Sequence, residues 1–444
     1  MPYRPTLLFI APSAYPLGGV QTWLDYLLPG LEEKGFQTVL ALTSGQHHRV
    51  NAYLATHHFD NVETIDSITG TTQGRVEALE RVILKVKPTI TVNVNIVDVY
   101  QAVNNLRLRG LSDTHLVTSI HGIQADLFSG IHGNASVIDA VVSTNRLTQK
   151  LINNATNILP ENSFYAPYGV AEGTNEHRTE SRKFTVVYAG RIEESQKRIN
   201  DLLKIFSRLL SEMKNIHLVI AGAGKDTPVL EQWLNKEVNN ASNIDYLGVI
   251  RPEDVNAQIY AKADAFILTS EWETGPIVAW EAMNNGVCFI SSRYIGSTEE
   301  NSLLDGENCL LFDRGDIDSA VHKIKMAQDP LLRKKLIRQG KQLVRDKYSH
   351  EKSIETWANC FKSILSKPAK PHSYDVTFHR DNGRLSSLMN IVFGINGAKQ
   401  SERIRRALNI KFKHDSPGSE WPHSNPGHAS NPMSLNKYIN NHEK

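Results

Sequence analysis

Short apolar runs of strand length alternate with longer segments whose apolar positions recur at helical spacing, from the start of the chain to about residue 366. Thr6 to Ala11 (TLLFIA) reads as a buried strand, followed by a loop over Pro12 to Val20 and an amphipathic helix to about Lys34. The pattern then predicts strands over 37–43, 89–95, 115–121 and 138–143, and helices over 72–86, 97–109 and 145–153. A polar stretch without period, 171–183, interrupts the alternation. It resumes at Phe184 with the strand FTVVYAG, a helix over 198–213, HLVIAGAG, a helix over 227–238, NIDYLGV and a helix over 252–262. A strand over 264–270, a helix from Ile277, a strand over 287–292 and helices over 316–328, 330–347 and 351–366 complete the series. Strands separated by helix-length segments predict α/β architecture, here two doubly wound parallel sheets.

The most informative junction is DAFILTSEWETGPIVAWEAM, residues 264–283. An apolar strand gives way to Thr274-Gly275-Pro276, a turn whose proline suits the first helical position. The helix that follows presents the free N–H groups of Ile277 and Val278 at the carboxyl end of a strand, where an anion is favoured. Glu273 and Glu281 bracket this turn. Next to an anion site their natural partners are sugar hydroxyls; the plainer alternative is a dipole-favoured glutamate followed by a surface one.

Other strand ends carry candidate chemistry. Gly190-Arg191 closes the first strand of the second series and Lys197 opens the next helix, which puts two cations at one rim. They are either phosphate ligands or ordinary surface charges, and Arg198 is placed to share the role. Gly222-Ala223-Gly224 closes the following strand. In the first series, Gly18-Gly19 allow close backbone approach by a ligand or a helix, but no G-x-G-x-x-G is present, so a dinucleotide is not favoured. His121 stands at a strand end in TSIHG. Asp316-Ile317-Asp318 has metal-like spacing but opens a helix, where carboxylates complement the dipole, so no metal is expected.

E-T-G-P-I-V-A-W-E-A-M followed by N-N-G-V-C-F-I-S-S resembles the E-x7-E signature of retaining glycosyltransferases of the GT-B fold, family four, the glycosyl transferases group 1. The resemblance covers about residues 5–366 and implies two facing Rossmann-like domains with a cleft between them. It implies that Arg191, Lys197 and the Ile277 and Val278 N–H groups hold a donor diphosphate, and that Glu281 binds the nucleotide ribose. Glu273 and His121 orient the donor sugar, while Gly18, Gly19, Gly190, Gly222, Gly224, Gly275 and Glu299 line the donor. The family has two glycines before the last of these carboxylates; here Ile295 replaces the first, which leaves Glu299 and Glu300 as alternatives. FYAPYGV, residues 164–170, resembles the segment that ends the family's first domain. The expected organisation is an N-terminal domain over 1–172, a linker over 173–183, a donor domain over 184–348, a returning helix over 349–366 and a tail over 367–444. The implied activity is retaining, metal-independent sugar transfer from a nucleotide-diphosphate sugar to a hydroxyl acceptor, with no cofactor. A surface polysaccharide or glycolipid acceptor is expected from family frequency. A GT-B epimerase or phosphorylase, and a non-catalytic GT-B binding subunit, are the alternatives.

Length and charge add to this picture. A chain of 444 residues suits two domains with an appendage. The formal net charge of +2 hides a tail, 367–444, with 12 basic and 6 acidic residues, so the body is net acidic and a nucleic-acid partner is not expected. The tail reads as largely disordered, with a basic, partly apolar stretch over 385–413 suited to an anionic membrane surface, a partner or solvent. The chain opens on a strand rather than a signal-like segment, so a cytoplasmic protein is expected, possible contact with the inner membrane face resting on that tail. Cys288, Cys309 and Cys360 have no metal spacing and read as reduced core residues.

Overall fold

The computed structural model describes residues 4–16, 18–173, 183–251, 254–375 and 397–423, the side chains of 397 and 398 excepted. Part of the expected linker (174–182) and the expected basic stretch up to residue 396 lie outside the described residues. The chain forms two compact units, one of Met1–Ala166 with Ile354–Lys444 and one of Pro167–Ser353.

The first unit is built on seven strands: β1 (Thr6–Ala11), β2 (Gln37–Ser44), β3 (Val62–Asp66), β4 (Ile90–Val94), β5 (His115–Ile120), β6 (Ala140–Ser143) and β7 (Ser163–Tyr165). Their order is β3-β2-β1-β4-β5-β6-β7, and every pairing is parallel. The second unit has six: β8 (Phe184–Ala189), β9 (Ile216–Ala221), β10 (Ile244–Tyr246), β11 (Ala265–Leu268), β12 (Cys288–Ser292) and β13 (Leu310–Phe312). Their order is β10-β9-β8-β11-β12-β13, again all parallel. Central strands such as Leu7–Ile10 and Ala265–Ile267 are fully buried, because helices cover both faces. The order reverses between β1 and β4 and between β8 and β11, and at such a switch point the loops after the two strands diverge and leave a crevice.

The division differs from the expected boundaries by several residues, and backbone pairing explains it. Val170 N donates to Tyr348 O at 2.8 Å, His350 N to Val170 O at 3.0 Å, and the Ser353 hydroxyl to Pro167 O at 2.7 Å. The Pro167–Val170 stretch is therefore part of the second unit. The helix His350–Leu365 joins the first unit from Ile354 onward, where Trp357 and Phe361 enter an aromatic cluster with Phe9 and Trp23.

Part of the tail is folded: residues 397–423 are ordered within the segment expected to be largely disordered. Residues 397–423 carry a helix, Gly397–Ala407, and pack on the first unit, because the segment brings its own buried anchors. The Glu402 carboxylate is buried and accepts from the Thr69 and Thr71 hydroxyls and from Arg406. Glu420 accepts from the backbone N–H groups of Gln46 and His47, and the Trp421 indole donates to Ser44 O at 3.1 Å. Among the described residues no helix is long and apolar enough to cross a membrane. Cys288, Cys309 and Cys360 are free and buried.

Candidate functional site

In the second unit the candidate residues gather where β8 and β11 end side by side. After β8 the chain passes Gly190 and Arg191 into a single helical turn, Glu194–Lys197. After β11 it runs through Thr269–Gly275 into the helix Ile277–Asn284. Three bonds lace the two loops: Glu271 N donates to Gln196 O at 2.7 Å, the Thr269 hydroxyl to Lys197 O at 2.7 Å, and the Gln196 amide to Trp272 O at 3.1 Å.

Lys197 and Glu273 form the centre of the cluster. The ammonium contacts the carboxylate at 2.5 Å with side-chain exposures of 12% and 6%, so the pair is nearly dry. Glu273 also accepts from the Ser270 hydroxyl, and from Gln196 at 3.4 Å. Ammonium has three N–H donors. Among the described residues Glu273 is the sole acceptor recorded for Lys197, which leaves donors for a ligand. Arg191 ion-pairs with Glu193 at 2.8 Å and donates to Gln196, yet its side chain stays 60% exposed. Gln196 therefore ties the exposed guanidinium to the buried carboxylate.

Gly275 takes φ +96°, which lets the chain turn into Pro276. The following helix has no side-chain cap, so the N–H groups of Ile277 and Val278 begin it uncapped and partly exposed. One turn on, the partly exposed Glu281 accepts a hydrogen bond from the buried Tyr260 phenol at 2.7 Å. Burial lifts the Glu281 pKa above the ordinary glutamate value, and the phenol partly offsets this. A carboxylate held from one side keeps lone pairs for a second donor.

Several expected ligands have structural duties. A Cβ on Gly222 would lie 1.8 Å from Gly190 O, and one on Gly224 would lie 2.3 Å from Ile192 O. These glycines let the loops after β8 and β9 touch. Gly190 is looser, since a Cβ there would meet the Tyr188 phenol at 3.2 Å. Arg198 does not join Lys197: its guanidinium is taken by Asp201 at 2.7 Å and Glu271 at 2.6 Å, because its backbone turns left-handed at φ 50°. Ile295, in place of the family's glycine, serves through its backbone, accepting from Glu273 N and donating to Glu271 O at 2.9 Å. Glu299 is partly exposed in the turn Ser297–Glu300, and Glu300 accepts from the Tyr348 phenol at 2.9 Å. Asp316 caps its helix through Ser319 N, and Asp318 pairs with Arg208. Among the described residues no cluster of three or more His, Cys, Asp or Glu is arranged to hold a metal.

In the first unit Gly18 caps the helix Gly19–Glu33, and both glycines are exposed. His121 follows β5, its ring packed on Trp23 with centroids 4.6 Å apart and Nε2 bonded to the Ser119 hydroxyl at 2.6 Å. Burial lowers its pKa to about 3, so the imidazole is neutral at physiological pH. Gln196, Ser270 and Tyr260 escaped the sequence reading. Gln196 lies within the Arg191-to-Lys197 spacing and Ser270 ends the strand run, so position marked both; nothing in the sequence joins Tyr260 to Glu281, 21 residues on.

Comparison with known proteins finds similarity that centres on the second unit. Residues 172–343 match the model of the glycosyl transferases group 1. That match lies within the second unit. The chain is 31% identical over 182 residues to the GalNAc-alpha-(1->4)-GalNAc-alpha-(1->3)-diNAcBac-PP-undecaprenol alpha-1,4-N-acetyl-D-galactosaminyltransferase of Campylobacter jejuni. It is 25% identical over 170 residues to the N-acetyl-alpha-D-glucosaminyl L-malate synthase of Bacillus anthracis. The matches span 40% and 38% of this chain and only 48% and 43% of those relatives. Solved structures extend the fold: the apo lipopolysaccharide outer core galactosyltransferase WaaB aligns with TM-score 0.63 and 17% identity over 81% of this chain and 99% of its own. Anabaena Alr3699/HepE in complex with UDP and glucose aligns with TM-score 0.65 and 14% identity, over 81% and 100%. The chain thus has the GT-B fold.

Proposed function

We propose that this protein transfers a sugar from a nucleotide-diphosphate sugar to a hydroxyl acceptor, with retention of the anomeric configuration and without a metal ion. One observation carries the reading: a nearly buried ammonium, Lys197, with donors to spare, at the same strand ends as an exposed guanidinium and an uncapped helix start. A diphosphate leaving group gains negative charge as the glycosidic bond breaks, and fixed positive groups aimed at it lower the barrier. Arg191, Lys197 and the Ile277 and Val278 N–H groups take the diphosphate. Glu281 takes the ribose hydroxyls, and Glu273 a sugar hydroxyl, sharing Lys197 with the phosphate. The first unit's neutral His121 is assigned to a further sugar hydroxyl.

The acceptor class we infer is a glycolipid or surface polysaccharide, met at the inner face of the cytoplasmic membrane. This is supported by the names of similar proteins, which include the undecaprenol-linked substrate above, an alpha-monoglucosyldiacylglycerol synthase of Acholeplasma laidlawii and a lipopolysaccharide 1,6-galactosyltransferase of Escherichia coli.

The test is a binding and turnover screen of nucleotide-diphosphate sugars with chelator present. Saturable binding of one donor, with release of the nucleotide only on adding an acceptor, is the expected result. Donor converted without acceptor would mean an epimerase, and no donor bound would end the proposal. In the active pair, Lys197→Ala should lower turnover about 100- to 1000-fold while circular dichroism remains unchanged. A near wild-type rate would remove Lys197 from the chemistry.

A further inference from the structure

The docked tail segment creates a surface that the sugar-transfer reading does not use. Most of its anchors sit at loops following strands of the first sheet. Glu420 and Trp421 hold the loop after β2, Glu402 and Phe412 N hold Thr69 and Thr71 after β3, and Pro422 O accepts from Val97 N after β4. Between these anchors the chain turns outward. The helix ends at Ala407, Asn409 takes a left-handed conformation, and an extended stretch runs on to the buried His414, whose ring nitrogen bonds Gly70 O at 2.8 Å.

The run from Arg403 to Lys413, RIRRALNIKFK, contains no acidic residue. Two of its cations are consumed internally: Arg406 pairs with Glu77 and Glu402, and Arg405 is buried, its guanidinium over the Phe412 ring at 5.9 Å. The other three, Arg403, Lys411 and Lys413, are exposed and have no recorded acidic partner among the described residues. Interleaved with them are exposed apolar side chains: Leu408 at 65%, Ile410 at 41% and Phe412 at 39%. A cationic site for free phosphate would not need exposed apolar groups, and here three of them lie within five residues of one another among the cations. The two together match the boundary layer of a bilayer, where anionic headgroups meet acyl chains.

We propose that residues 403–413, anchored on the first unit, form a docking surface for an anionic phospholipid bilayer. The surface is prefolded, so docking carries no cost of ordering the segment. Arg403, Lys411 and Lys413 meet headgroup phosphates, and Leu408 enters the apolar boundary.

The experiment uses the full chain, sedimented with vesicles of phosphatidylglycerol and phosphatidylcholine in equal parts or of phosphatidylcholine alone. Binding to the mixed vesicles that falls with added salt, and none to the neutral ones, is expected. Each basic side chain near an anionic surface contributes about fivefold in affinity, so Lys411→Gln with Lys413→Gln should weaken binding about 25-fold. Leu408→Ser should weaken it several-fold with the charges intact. All three side chains are exposed, so these variants leave the core untouched. Absence of vesicle binding, equal binding to neutral vesicles, or unchanged binding by the double variant would overturn the proposal. It also falls if Leu408→Ser has no effect while the double variant loses vesicles and inorganic polyphosphate alike, because the surface would then be a general polyanion site.

Discussion

Tyr260 and Glu281 show how one hydrogen bond sets the working range of a ligand. The carboxylate accepts from the phenol at 2.7 Å, and in the proposed donor site its ionised form is the stronger acceptor for a ribose hydroxyl as well. Because burial raises its pKa, donor affinity should decline on acidification at a pH above the ordinary glutamate range. Tyr260→Phe removes the group that favours ionisation, so that decline should move to still higher pH, with turnover at saturating donor little changed. Titrating donor binding against pH in both proteins checks this; coincident profiles would show that the phenol does not position Glu281. His121 gives a stability test. The unfolded imidazole takes a proton near pH 6.5, whereas the folded one does so only at about 3. Its contribution is therefore complete above pH 6.5 and is lost progressively as pH falls toward 3. His48, His115 and His350 are shifted the same way by burial, so the midpoint of urea unfolding should drop from pH 7 to 5 and drop less steeply in His121→Asn. At this scale the sequence was legible where a residue type and a strand end coincided, as for Arg191, Lys197 and Glu273. It was silent on Tyr260, because only the folded chain brings that phenol under the helix from elsewhere.

At the scale of elements, central strands were read readily because burial on both faces leaves an unbroken apolar run. β3 reads Val-Glu-Thr-Ile-Asp, with only Ile65 buried, and β7 and β13 are three residues each; the sequence reading missed all three. Such edge strands owe their existence to a neighbour's free backbone rather than to their own pattern. The glycine loops carry a related lesson: Gly222 was expected for a ligand, and its lack of a side chain is demanded by Gly190 O. Gly222→Ala, at φ +125° as well as in steric conflict, should cost stability by about 2 kcal/mol or more, read from the shift in urea midpoint. The docked part of the tail, 397–423, was not legible because polar composition argues for disorder, whereas its docking rests on two buried carboxylates that composition cannot place. Glu402→Ala strands the Thr69 and Thr71 hydroxyls and should free residues 397–423, seen as rapid cleavage there by limited proteolysis with the remainder of the first unit resistant. Equal protection in the variant would show that Glu420 and Trp421 suffice.

For the molecule as a whole, the two-unit GT-B architecture was readable because each sheet repeats the same strand and helix alternation about one break. The boundaries were less so, since Val170 and Tyr348 pair through backbone groups that any residue supplies. The assembly of cations and helix start in one unit makes a specific demand on the chemistry. Turnover with excess EDTA should equal turnover without it if, as proposed, Lys197, Arg191 and the Ile277–Asn284 helix carry the charge that a divalent ion supplies elsewhere. A rate abolished by chelation and restored by magnesium would contradict that assignment.

Trp280 is buried beside Glu281 in sequence and stacks on Tyr348 with ring centroids 3.9 Å apart and planes within 4°. The protein therefore carries its own optical probe in the helix proposed to meet the nucleotide. Any shift of that helix as a ligand settles will change the overlap of the two rings and hence the indole emission, so occupancy can be followed on a stopped-flow instrument without a label.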